Sequence, residues 1–173
     1  ISPEAVEEPD YNTKKIHVRL TKKQIEQSPP IEADKPVNRQ WEQQFLPYYG
    51  WASYWLEMDG DPNLRSGHEV KGYKISASDG ELGGVNDLIV DDVEWRIRYI
   101  VVDTSSWNPL SKKTLVSPGW ITSVDEDNKK VLVDLSQEQV KEAPEYNPDE
   151  PVNRERETVL YDYYGKPHYW EQQ

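Results

Sequence analysis

The chain has 173 residues, 35% hydrophobic and 30% charged, with a formal net charge of −12 and a mean hydropathy of −0.92. That length holds one large or two small domains, and the 7 Trp and 11 Tyr exclude a disordered chain. The acidic balance argues against nucleic acid and anionic lipid, which need a basic face, and it is read as a solubility device.

There is no cysteine, so neither a disulfide framework nor a thiolate metal site is available, and a reducing, cytoplasmic setting is expected. No apolar run approaches the roughly 20 residues of a membrane span, and no signal-peptide pattern opens the chain. The first residue, Ile1, is not Met, which implies processing or excision from a longer chain.

From the start, Ile1–Leu20 reads as Ile-Ser-Pro, a polar turn and Lys-Lys-Ile-His-Val-Arg-Leu. Thr21 to Gln24 has capping-box spacing, so a short helix begins there and stops at Pro29. A second helical piece covers Arg39–Phe45, with Gly50 placed to end it, and residues 57–66 read as a linker. Glu69–Ala77 reads as a strand ended by Ser78-Asp79-Gly80.

The stretch Gly83–Asp103 organises the rest of the chain. Two β-branched runs, Val85–Val90 and Trp95–Val102, flank the acidic connection Asp91–Glu94, the pattern of an antiparallel hairpin. Strict alternation puts Trp95, Ile97, Tyr99 and Val101 on one face and Arg96, Arg98, Ile100 and Val102 on the other. The strand is therefore expected to be half buried first and covered on both sides at its end. Ser105 to Pro109 reads as a loop, Lys113–Ser117 as a short strand broken at Pro118, and Trp120–Val124 with Lys130–Leu135 as a second hairpin. Ser136 to Gln139 repeats the capping box, Pro144 stops that helix, and Arg154–Tyr163 is helical up to Gly165. About six short strands with few helices predict a mainly β fold, a small, strongly bent sheet or barrel.

Residues 116–170 match residues 1–55 at an offset of 115 without a gap, with about 20 identities. The identities cluster at Pro36–Arg39 with Pro151–Arg154, at Tyr48-Tyr49-Gly50 with Tyr163-Tyr164-Gly165, and at Tyr54-Trp55 with Tyr169-Trp170. This is read as an internal duplication. It is lopsided: the second copy has Gly67–Leu115 ahead of it and the first has no such segment ahead of Ile1. The expected organisation is a back half at 1–56, the linker at 57–66 and a complete module at 67–173.

Gly72 to Ile75, Asp79 to Gly83, Val85 to Asp91, Arg98 to Asp103 and Leu115 to Pro118 resemble the PRC-barrel, the β-barrel of the cytoplasmic part of the photosynthetic reaction-centre H subunit. The likeness covers Gly67–Leu135, and Ile1–Leu20 resembles the barrel's last strands; the Tyr-Tyr-Gly and Tyr-Trp tails are similar to bacterial proteins with two such barrels in tandem. The resemblance implies a small PRC-type barrel with short helices and an aromatic-rich tail, partly duplicated, that docks onto protein and is not an enzyme. An RNA-linked role, by analogy with a ribosome maturation factor that shares the barrel, conflicts with the charge.

Candidate chemistry is sparse. Asp87, Asp91, Asp92 and Glu94 gather at a hairpin end, but their spacing lacks the alternating ligands and glycine of a calcium loop, so they are read as a solvated turn, as is Asp125 to Asp127. His17, His68 and His168 are scattered, with no partner at ligand or triad spacing. Ser105 and Ser106 lack a nucleophile elbow, and Gly80 to Gly84 lacks the helix and lysine of a phosphate loop. No catalytic residue, metal ligand or cofactor is assigned.

The tail aromatics Trp41, Tyr48, Tyr49, Trp51, Tyr54, Trp55, Tyr163, Tyr164, Tyr169 and Trp170 are the informative group. They are either a lid packed on their own sheet, a protein interface using large, low-entropy contacts, or a stacking platform for sugar rings. The expected function is a non-enzymatic adaptor or scaffold that docks onto a protein partner; the alternative is a small-molecule or carbohydrate-binding domain. The incomplete first copy would expose an unpaired strand edge, so self-association as a homodimer, or a nicked complex that retains the missing front half, is expected.

Overall fold

The computed structural model describes residues 1–31, 37, 39–54, 64–106 and 112–171. They fall into two compact units, Ile1–Ser66 and Gly67–Gln173.

The second unit opens with a single helical turn, α3 (Gly67–Val70, after α1 and α2 of the first unit), followed by β1 (Lys74–Ser76), β2 (Glu81–Asp91), β3 (Arg96–Asp103), β4 (Lys113–Val116), β5 (Ile121–Asp125) and β6 (Lys130–Val133). Helices α4 (Gln137–Glu142) and α5 (Arg154–Tyr164) complete it. The strand expected over Glu69–Ala77 is thus helix in its first part: Gly72 and Tyr73 donate back to the carbonyls of Glu69 and Val70, closing turns that delay the strand to Lys74.

The sheet order is β4-β3-β2-β1-β6-β5. All neighbours are antiparallel except β1 and β6, where Ile75 lies opposite Val131 in parallel. β4 and β5 are the ends of this order, so the pairings give a six-stranded mixed sheet with short helices that is not closed, where a small, strongly bent sheet or a PRC-type barrel was expected. Pro118, which has no N–H to offer a ladder, stops β4 after four residues.

The β2–β3 hairpin is the one read from sequence, but two bulges reset its alternation. Asn86 is an extra residue between Val85 and Asp87, and Arg98 is an extra residue between Ile97, opposite Val90, and Tyr99, opposite Ile89. Ile97 and Tyr99, expected on one face, therefore point to opposite faces: Tyr99 is buried and Ile97 is exposed. Trp95 is not in the strand; it closes the turn with a positive φ of 54°, and Asp91 accepts hydrogen bonds from the N–H groups of Val93 and Glu94. Beyond the second bulge Tyr99, Ile100, Val101 and Val102 are all buried, so this end of β3 is covered on both sides as expected.

The core gathers Tyr73, Ile75, Leu82, Val85 and the end of β3 against Leu115, Val116, Trp120, Val131, Val133, Val140, Leu160, Tyr161 and Tyr164. Each fully buried aliphatic contributes about 1.5–3 kcal/mol. Gly83 has φ +121°, and a Cβ there would lie 2.0 Å from the carbonyl oxygen of Asp103, so only glycine fits this crossing. Helix α5 is capped by Asn153, whose side chain accepts from the N–H of Arg156, and ends in the left-handed Gly165.

The first unit contains helices α1 (Lys22–Glu26) and α2 (Arg39–Tyr49). Ahead of them Val6 bridges Val18 and Asp10 bridges Lys15, a two-stranded ribbon. Thr21 caps α1 with a reciprocal capping box, and α2 runs four residues past the expected Phe45, carrying Pro47 in its last turn, before Gly50 at φ +74°. Of the expected linker, residues 57–63 lie outside the described residues, as do residues 107–109 of the expected loop.

Candidate functional site

In the second unit the tail is fastened to the sheet around one buried carboxylate. Glu157, on the inner face of α5, is 6% exposed. The phenol of Tyr99, from the doubly covered end of β3, donates to Glu157 Oε1 at 2.6 Å, and the phenol of Tyr169 donates to the same oxygen at 2.9 Å. Arg154, one turn earlier on α5, pairs with Glu157 Oε2 at 2.8 Å. Burial, and then the carboxylate beside it, pushes the Tyr99 phenol far up, so it stays a donor at all ordinary pH. Three donors of the same unit converge on Glu157: this is a clamp, not a base held open for a substrate.

The network continues to the hairpin turn. The Arg98 guanidinium lies 4.4 Å from the centre of the Tyr169 ring, and it pairs with Asp91 at 3.0 Å and Glu94 at 2.8 Å. The bulge at Arg98 is what aims this side chain at the tail. The backbone N–H of Glu94, then that of Val93 and the Arg98 guanidinium, hold Asp91 below the usual carboxylate range. Asp91 and Glu94 thus converge on an arginine instead of a shared cation, and Asp87 pairs with Lys71 at 2.8 Å. Among the described residues no three His, Asp or Glu side chains are gathered as metal ligands. A cleft of about 290 Å³ opens beside the clamp, lined by Val90, Asp92, Arg98, Val152, Arg154 and Tyr169.

The aromatics divide by burial. Tyr164 is buried, its ring 4.8 Å from that of Trp120, and belongs to the core. Tyr169 and Trp170 are half-buried; the Trp170 ring carries the Arg154 guanidinium at 4.2 Å and the His168 ring stacked at 4.6 Å. Tyr163 is exposed, its hydroxyl donating to the carbonyl of Gln139 at 2.8 Å. In the first unit Trp41, Tyr49 and Trp51 are half-buried, with Tyr49 stacked on Trp51 at 4.4 Å. Tyr48 and Tyr54 are exposed. Tyr48 donates to the carbonyl of Gln24 at 2.8 Å, and Tyr54 donates to Glu42 at 2.9 Å. Trp55 lies outside the described residues.

His168, read as isolated, lies 3.0 Å from both Asp162 and Glu171, and these carboxylates, Glu171 first, raise its pKa. The sequence reading assigned no role to Glu157, Arg98 or Arg154. A signal was present: Glu42 and Glu157 are identical at the offset of 115, each 12 residues ahead of a matched tyrosine.

Among the described residues no helix is long and apolar enough to cross a membrane. No curated protein matches the chain. The sheet and its hairpins lie within residues 62–140 of this chain, and those residues match the family model of the PRC-barrel domain.

Proposed function

We propose that the chain is a non-enzymatic adaptor that docks onto a protein partner, in a cysteine-free, cytoplasmic setting. The observation that carries this reading is the free end of the β2–β3 hairpin. Val90 and Ile97 are cross-strand neighbours, each 48% exposed, and Val93 in the turn is 85% exposed. Behind them the turn is held rigid by Arg98 bonded to Asp91 and Glu94, so an apolar tip is presented on a fixed support rimmed by charge. A small apolar centre with a charged rim is how protein interfaces are built. The exposed Tyr163, Tyr48 and Tyr54 are further candidate contacts, whereas Tyr164 is spent on the core.

The carbohydrate reading is weaker on this geometry. Sugar stacking needs open aromatic faces, and the Tyr169 and Trp170 rings are already contacted by Arg98, Arg154 and His168.

The partial duplication belongs to the same proposal. Tyr48 to Gln24 and Tyr163 to Gln139 are the same hydrogen bond at an offset of 115, as are Tyr54 to Glu42 and Tyr169 to Glu157. Lys14 and Lys129 share a positive φ, 54° and 50°, and the bridges of the first ribbon match Ile121–Val133 and Asp125–Lys130. These coincidences support a first unit that is the back half of a PRC-type module.

The test is quantitative capture from a source lysate with the intact chain and with a Val93→Asp/Ile97→Asp variant. One protein enriched by the first and lost with the second is the expected result. Identical profiles from both would sink the reading, and a saturable Trp fluorescence shift with one sugar class would replace it.

A further inference from the structure

A groove of about 410 Å³ lies along α5 of the second unit, beside the segment that leads into that helix. The buried Leu115 and Leu160 lie at its base, Val152 lines it, and Val159 stands at its lip, 54% exposed. Its volume falls in the range of about 300–1,000 Å³ in which proteins hold small apolar ligands. One side chain leaves this space open. Arg156 pairs with Glu150 in the turn ahead of α5, which holds its guanidinium at the rim.

The first unit fills the matching space with an indole. Helices α2 and α5 span the same positions at an offset of 115, and Tyr48 to Gln24 and Tyr163 to Gln139 are the same hydrogen bond at that offset. Arg156, Leu160 and Glu145 of the groove then correspond to Trp41, Phe45 and Pro30. The Trp41 ring stacks on Phe45 at 4.4 Å between centres, and its indole N–H donates to the Pro30 carbonyl at 2.8 Å. An indole therefore spans the two positions that, in the second unit, are the base and the rim of an open groove. The acceptor is in place there as well: among the described residues no donor is bonded to the Glu145 carbonyl.

Charge decides what flanks the indole. Glu145 and Glu155 line the groove and are exposed, while Arg156 at the rim is already neutralised by Glu150. A basic neighbour is attracted to such a rim and an acidic one repelled. We propose that this groove docks a partner polypeptide through a tryptophan set between lysines or arginines, with the indole over Leu160 and its N–H on the Glu145 carbonyl. Tryptophan is among the residues that most often anchor interfaces, because it desolvates a large area in one pocket. This inference rests on the protein-docking reading only in that the occupant is a polypeptide. Among the described residues the groove shares no lining side chain with the hairpin tip of Val90, Val93 and Ile97, so the Val93→Asp/Ile97→Asp variant tests that reading separately.

The probe is a fluorescein-labelled peptide, Gly-Lys-Lys-Trp-Lys-Lys-Gly, titrated against the intact chain by fluorescence polarisation. Saturable binding is expected, weakened about tenfold or more when the peptide's Trp is replaced by Ala or its lysines by Glu. Two variants place that binding in the groove. Arg156→Trp fills it from within, as Trp41 does in the first unit, and Val159→Lys sets a like charge at the lip; each lowers affinity about tenfold or more. Val159 is exposed, so its variant keeps the fold even where Arg156→Trp does not, and unaltered hydrogen exchange at Val101 and Val102 verifies this. Absent saturation up to about a millimolar, equal affinity for the Ala peptide, or affinity that Val159→Lys leaves unaltered overturns the inference. A groove that binds the peptide only after Trp107→Ala belongs to this chain's own residues, and self-association abolished by Arg156→Trp assigns it to a second copy; either result equally overturns it.

Discussion

Replacing Glu157 with Ala removes the acceptor on which the tail converges, and the loss is calculable from its three partners. Tyr99 is 1% exposed, so its hydroxyl is left buried without an acceptor, which costs about 1–3 kcal/mol. The hydrogen bond from the half-buried Tyr169 adds about 0.5–1 kcal/mol. The ion pair to Arg154 is discounted because that side chain is half exposed, leaving under about 1 kcal/mol. The total is about 1.5–5 kcal/mol for the second unit. Urea-dependent hydrogen exchange at Val101 and Val102 reads that unit alone. Tyr99→Phe costs about 1 kcal/mol by the same reasoning, and the double variant costs less than the sum, because the buried donor has gone with its acceptor. A Glu157→Ala cost below about 0.5 kcal/mol, or strict additivity with Tyr99→Phe, would refute the clamp.

Three other outcomes are expected. Gly83→Ala forces a Cβ against the Asp103 carbonyl in a backbone conformation alanine resists; about 2–4 kcal/mol is lost by denaturant titration, and a change under about 1 kcal/mol would contradict the geometry. His168 gains its charged form from Glu171 and Asp162, so its contribution is complete below the ordinary value of 6.5 and fades as pH rises through its raised folded value. His168→Gln should therefore narrow the stability difference between about pH 6 and about pH 8.5, and an unaltered pH profile would show that the pairs contribute nothing. Val93→Asp, at an exposed turn, should leave stability within about 0.5 kcal/mol by thermal melting, and a larger loss would mean the tip is structural.

How far the sequence could be read depended on what set each element. Capping boxes at Thr21 and Ser136, the left-handed Gly50 and Gly165, and the hydrophobic runs of β2, β3, β5 and β6 are local signals, and they were legible. The phase of β3 was not, because a bulge leaves no composition mark: Arg98 reads as one more alternating residue until its neighbours are paired. The helical turn at Gly67–Val70 took the start of the strand read from Glu69, because a single turn is too short to show a helical period. The clamp was illegible for a different reason. Tyr99 and Glu157 are 58 residues apart, and nothing local to either requires the other. Only the identities at an offset of 115, which pair Glu42 and Tyr54 with Glu157 and Tyr169, carried a trace of it.

The parallel pairing of β1 with β6 has a consequence for how the second unit assembles. Ile75 meets Val131 about 56 residues later in the chain, so the centre of the sheet is joined by its most distant strands. During synthesis, β1 emerges with one neighbour available and waits for the last hairpin before its second edge is filled. Assembly of the nucleus is therefore non-local and slow for the size of the unit, with loop closure preceding most of the reward. A chain interrupted before Lys130 would hold β2, β3 and β4 with β1 open on one side, an aggregation-prone intermediate.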